Sequence, residues 1–309
     1  MTTDPKHVFV AGATGVVGLP AVRALVADGH RVTAVARSPE KAAALRALGA
    51  DPVAVDLFDA AAVKGATDGH DVIVNLTTKI PPTAKAWRAA AWAENERIRH
   101  EVSNHLADAT LDHGAERYVQ EALAFAYADH GDAWIDEDEP LDPPPGLEGV
   151  QHAEANTARV TAAGAVGVVL RFGNFYGPES SYTHDTFRMA RRRISTALGP
   201  GDAYWSPVHA DDAATAVAAA LRAPAGAYNV VDDEPLTRNE NDRAIANALG
   251  VGPLRRPPRP VARFAEGRAP IMTRSVRASN SRFKEATGWA PAFPSVVEGW
   301  PAVVAALDV

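Results

Sequence analysis

Three glycines, Gly12, Gly15 and Gly18, recur at every third position in Val10-Ala11-Gly12-Ala13-Thr14-Gly15-Val16-Val17-Gly18. Each suits a different need. Gly12 permits a tight turn, Gly15 lets backbone come close to phosphate, and Gly18 lets a helix pack onto a strand. The backbone of Ala13, Thr14, Val16 and Val17 completes the loop. Its N–H groups and the partial positive charge of a helix start suit a pyrophosphate. About twenty residues further stands Arg37, followed by Ser38. An acidic residue there would take the ribose 2′-hydroxyl of NAD, whereas Arg matches the 2′-phosphate of NADP. NADP is therefore the expected cofactor, with NAD as the other reading.

This chemistry needs a strand before the loop and a helix after it. His7 to Ala11 reads as a buried strand, and Val16 to Asp28 as an apolar-periodic helix ended by Gly29. Strands at Arg31 to Ala36, Pro52 to Val55 and Asp71 to Leu76 follow, with Ser38-Pro39 opening a helix that runs to Leu48. Asp56 and Leu57 would then flank the adenine, and Leu76, Thr77 and Thr78 the cofactor's other edge. A long helix from about Ala84 to His113, a strand from Arg117, a helix Gln151 to Ala163 and a strand Val166 to Phe172 continue the alternation. The pattern predicts an α/β, doubly wound parallel Rossmann sheet. Regularity falls after Gly173, and Pro257 to Pro260 reads as an exposed turn or linker. The expected division is a dinucleotide lobe, 1–172 with about 206–232, and a smaller C-terminal substrate lobe, 173–205 with 233–309.

Bulk properties narrow the classes. The chain has 309 residues, 47% hydrophobic and 22% charged, as in ordinary globular proteins. With no cysteine, disulfides, zinc–thiolate sites and a thiol nucleophile are excluded. The net charge of −7 argues against nucleic acid as partner. No signal-like segment opens the chain and no apolar run could span a membrane, so a cytoplasmic protein with a small-molecule substrate is expected, as monomer or homodimer. The acidic stretch Asp129 to Asp142 lacks calcium-loop spacing and reads as a solvated rim with Trp134 tucked inward; no metal site is expected.

Beyond the glycine loop, Asp56-Leu57, the segments Leu-Arg-Phe-Gly-Asn-Phe-Tyr-Gly-Pro at 170–178, Val-His-Ala-Asp-Asp-Ala-Ala at 208–214, Tyr-Asn-Val-Val-Asp at 228–232 and Thr-Gly-Trp-Ala-Pro at 287–291 occur in one order. In these segments the chain resembles the extended branch of the short-chain dehydrogenase/reductase family, which includes nucleotide-sugar epimerases and dehydratases. The resemblance implies that Phe172 and Asn174 lie against the cofactor and Tyr176 near the substrate. It also implies that His209, Asp211 and Asp212 order the lobe junction. One departure matters. The family uses a Tyr with a Lys four residues on, and a Ser that bonds the same substrate oxygen. Here no tyrosine has such a lysine, and none occurs between Lys85 and Lys284. The serine's place falls near Ala122 or Leu123.

Residues that could move a proton instead are Tyr127 just past the fifth strand, Glu121 at its end, and His152 on the altered helix beside Glu154. Arg188 and Trp205 join Tyr176 as expected substrate contacts. Three functions are open at this level. The first is an NAD(P)-binding oxidoreductase or epimerase-like enzyme for a small carbonyl or enone substrate. The others are a non-redox cyclase, isomerase or lyase, and a catalytically silent NADP sensor.

Overall fold

The computed structural model describes residues 4–81, 88–256 and 270–308. Seven parallel strands form one sheet: β1 (His7–Ala11), β2 (Arg31–Val35), β3 (Asp51–Val53), β4 (Val72–Asn75), β5 (Arg117–Leu123), β6 (Val166–Phe172) and β7 (Gly226–Val230). Their order, β7-β6-β5-β4-β1-β2-β3, reverses at β1, where the chain returns from the β3 edge to place β4 beside it. Covered on both faces, the central strands read as apolar runs; Val8, Phe9, Val10 and Ala11 are fully buried. This is the doubly wound α/β architecture the alternation predicts.

On one face lie α1 (Gly18–Ala27), α2 (Pro39–Ala47) and α8 (Ala210–Ala220), packed through Ala21, Val22, Leu25, Leu45, Ala213 and Val217. On the other lie α3 (Ala60–Thr67), α5 (Ser103–His113) and α6 (Gly149–Ala162), joined through Val63, Leu106, Tyr118 and Val160. A further core gathers Tyr176, Phe187, Ile245, Val296, Trp300 and Val303 from the later chain. It packs α7 (Ser181–Ala190) and α9 (Arg238–Ala248) with the last helix, α10 (Val296–Leu307).

Two details differ from the sequence reading, and a third adds to it. The single long helix before β5 is broken. A 3₁₀ turn (Ala89–Trp92) leads into α4 (Ala93–Arg97) and a π turn (Ile98–Val102) before α5, while 82–87 fall outside the described residues. Trp134 is not tucked inward but 50% exposed, because the two-residue strand it shares with Ile135 pairs only with Arg277–Ala278 at the periphery. The tail carries a full helix despite Pro301. A Ser295/Glu298 capping box starts it, and the carbonyl that Pro301 leaves free belongs to Val297, which faces solvent. The expected Pro257 to Pro260 linker lies outside the described residues.

Candidate functional site

Ala11 pairs with Asn75 and Asn75 with Gln120, so β1 and β4 end together at the reversal of strand order, where open α/β sheets bind ligands, with β5 running on to Leu123. Gly12 turns there at φ +79°; a methyl on it would press into the Leu76 carbonyl and sit 2.7 Å from the Thr77 nitrogen. On Gly18 a methyl would strike the Gly12 carbonyl and come within 2.7 Å of Ala13 backbone. Gly15 differs, since a methyl there meets only the Gly12 oxygen at 3.4 Å. Gly12 and Gly18 thus close the turn, and Gly15 keeps its outer side open. Ala13 and Val17 send their side chains into the core, leaving backbone to the opening. Helix α1 starts with neither an acidic residue nor a side-chain cap, so its partial positive charge is uncompensated. The cradle fits a pyrophosphate.

Arg37 is exposed just past β2 and makes no ion pair among the described residues. Ser38 caps α2, accepting the Lys41 N–H at 3.4 Å. Asp56 is exposed and accepts the Phe58 N–H at 3.0 Å, while the Leu57 carbonyl lies 3.0 Å from His105 Nδ1. At the β4 end, Leu76 is buried and Thr78 half-buried. Thr77 gives both its N–H (3.1 Å) and its hydroxyl to Asn75 Oδ1, and Asn75 Nδ2 donates to Gln120 Oε1 at 2.9 Å. Phe172 is buried; Asn174 is half-buried, its N–H on the Ser206 carbonyl at 3.2 Å.

The structure scatters the three proton-transfer candidates. Tyr127 is fully buried, receives Arg171 Nη1 at 2.7 Å and donates to Asn229 Oδ1 at 2.9 Å. Burial pushes its phenol up to about 12 despite the Arg171 charge. Glu154 forms a two-pronged pair with that same Arg171 at 2.8 and 2.9 Å, which fastens α6 to β6. Glu121 is also buried, both oxygens on Arg99 Nη2 at 2.8 and 2.9 Å; burial raises its carboxyl against the opposing Arg99 charge. His152 alone is exposed, in the first turn of α6. Its ring lies 4.3 Å from that of His100, and desolvation, then His100, holds its pKa below the usual histidine range.

Among the expected substrate contacts, Tyr176 is fully buried against Trp300 and His209. Arg188 is exposed and ion-paired with Asp185, and Trp205 is half-buried where it pairs with Leu236. His209 caps α8, and Asp212 accepts the amides of Ala292 (2.7 Å) and Phe293 (3.0 Å), tying the late chain to α8. Sequence reasoning passed over Asn95, Glu96 and Arg99. The signal was present: Asn95, Arg99, Val102 and Leu106 share one buried helical face, and a charged residue on such a face demands a partner.

Residues 8–231 match the model of the NAD dependent epimerase/dehydratase family. A 3-diazoavenalumate denitrifying reductase from a Streptomyces species is 36% identical over 312 residues, covering 95% of this chain and 98% of its own. The fold superposes on a Thermus thermophilus UDP-glucose 4-epimerase complex with NAD at a TM-score of 0.78, with 22% identity over 98% of this chain and 99% of that one. A human epimerase family protein with NADPH gives 0.77 and 22%, over 97% and 99%. Glycine turn, sheet order and ordered motifs agree with these matches: the chain belongs to the NAD-dependent epimerase/dehydratase family and is a nicotinamide-dependent enzyme without that family's usual Tyr–Lys pair.

Proposed function

We propose that the chain is an NADPH-dependent reductase of a small aromatic carboxylate that bears a diazonium group. The observation that carries this reading is the chemistry missing at the end of β5. Ala122 and Leu123 stand where the family's serine would, both buried and apolar, and the nearby phenol of Tyr127 is sealed beneath Arg171. Reduction of a carbonyl needs a proton for the developing alkoxide, and neither the apolar Ala122 and Leu123 nor the sealed phenol of Tyr127 can give one. A diazonium carbon makes no such demand. When bound, a reduced nicotinamide would supply the hydride for a new C–H bond, with the C–N bond of the diazonium carbon breaking and dinitrogen leaving with that bonding pair. The relative named as a diazo-acid reductase spans nearly the whole chain, which supports the same substrate class.

In this reading the chain's residues bind, orient and exclude water. The Gly12–Gly18 turn takes the pyrophosphate, exposed Arg37 takes a 2′-phosphate as charged partner, and Thr77, fixed by Asn75, borders the ribose on the far side. The substrate lobe would be built from 173–205 and the described residues of 233–309. The experiment is incubation of the purified protein with NADPH and an aromatic acid that carries a diazonium group. One dinitrogen and one nicotinamide oxidised per product, with NADPH preferred over NADH, are expected. Product formed without cofactor oxidation would instead indicate non-redox chemistry on this scaffold and overturn the proposal.

A further inference from the structure

One short stretch of helix reaches three separate elements at the same end of the sheet. Asn95 Oδ1 accepts the Lys79 N–H at 3.0 Å, just beyond β4. Glu96 Oε2 accepts the Gly149 N–H at 2.6 Å, the first residue of α6. Arg99 Nη2 holds both oxygens of Glu121 in β5. The contacts are tight. A methyl on Gly149 would lie 2.9 Å from Arg99 Cβ and 3.0 Å from Glu96 Oε2, so α6 rests directly on this turn. The side chains of Arg99 and Glu121 are 1% and 4% exposed, which closes them to any ligand. Helix α6 has no cap of its own from Glu148, so Glu96 serves as a cap borrowed from another helix. Arg99 sits in the π turn, where an extra residue in the ladder re-aims the side chains that follow.

A dinucleotide with its pyrophosphate on the β1 turn and its adenosine side toward Arg37 must extend its other half over β4 and β5. We propose that Asn95, Glu96 and Arg99 are positioning residues that clamp the β4 loop, the β5 end and the start of α6 into the rim of the nicotinamide half-site. They hold by hydrogen bonds the geometry that a Tyr–Lys pair secures by direct contact elsewhere in the family. The inference rests on the cofactor reading above and not on the identity of the substrate.

The test compares Glu96→Gln, which keeps an acceptor oxygen, with Glu96→Ala, which removes it, using NADPH as probe. Glu96→Ala should leave the NADPH Kd within about twofold, because the pyrophosphate and 2′-phosphate contacts are untouched. It should lower the fluorescence anisotropy of the bound nicotinamide and speed hydrogen exchange at the first amides of α6 in the cofactor-free protein. Hydride transfer should slow about tenfold or more, as misplacement of a reacting group does. Glu96→Gln should match the parent in all of these. Should Glu96→Ala fail to fold, Asn95→Leu against Asn95→Asp gives the same comparison at the β4 loop. Unchanged anisotropy and exchange in Glu96→Ala, or equal loss in Glu96→Gln, would overturn the clamp. A parent protein that binds NADPH yet reduces no diazo acid would overturn the substrate assignment alone, since anisotropy and exchange need no substrate.

Discussion

The glycine turn separates residues that shape the chain from one that leaves room for a ligand. Gly15→Ala meets only ordinary van der Waals contact, so stability should change by less than about 1 kcal/mol while NADPH affinity falls about tenfold or more. Thermal melts beside a fluorescence titration would show it, and equal losses in both would refute the ligand role. At Arg37, substitution by Glu should weaken NADPH binding by about tenfold or more and improve NADH relative to it, because a 2′-phosphate then faces like charge. Titration with both cofactors measures the ratio. Elsewhere, Arg193 adopts φ +59°, and its neighbour Ile194 donates an N–H back to the Met189 carbonyl at 3.1 Å, a helix stop that favours glycine. Arg193→Gly should raise stability by roughly 0.5–1 kcal/mol, read from denaturant unfolding.

At the scale of elements, the buried Arg99–Glu121 pair joins the π turn to β5. Glu121→Ala strands a guanidinium whose Nε and Nη1 already lack partners, and should cost about 3–5 kcal/mol. Replacing both residues by Met removes the charge along with its partner and should recover most of that loss. Denaturant melts of the single and double variants check this; a double variant as unstable as the single would mean that shape, not charge, dominates. The helix starts show the same division of labour. Ser38, Thr237 and Ser295 cap helices from their own sequence, as their residue types announce. Helix α6 takes its cap from Glu96, more than fifty residues away, which no local pattern reveals.

Across the whole molecule, His7, His30 and His70 cluster where β1, β2 and β4 begin, at the end of the sheet opposite the glycine turn. His7 and His70 stack at 3.8 Å, and His30 Nδ1 accepts the Lys6 N–H at 3.1 Å. Burial lowers the pKa of both His30 and His70 below the usual value of 6.5. Their unfolded forms therefore take up protons first as pH falls. The stability they carry is complete above about pH 6.5 and is lost as pH drops through their folded values. Buried Asp212 and Asp232, whose carboxyls burial raises, act in the opposite sense, so a variant isolates the histidine part. His70→Gln should lose less of its melting temperature than the parent between pH 7.5 and 5.5. A loss equal to the parent's would remove His70 as the source.

The sequence alone determined the sheet, the glycine turn and the family, because periodicity, turn glycines and ordered motifs are local properties that survive whatever packs against them. It also showed that the Tyr–Lys pair is missing, since absence of a residue type needs no coordinates. Only the tertiary structure decided how Tyr127, Glu121 and Tyr176 are held. Tyr127 and Glu121 were expected as proton donors and Tyr176 as a substrate contact, and each is claimed by a distant partner: Arg171, Arg99 and Trp300. Burial and pairing depend on residues tens of positions away, so no local pattern in the sequence shows them.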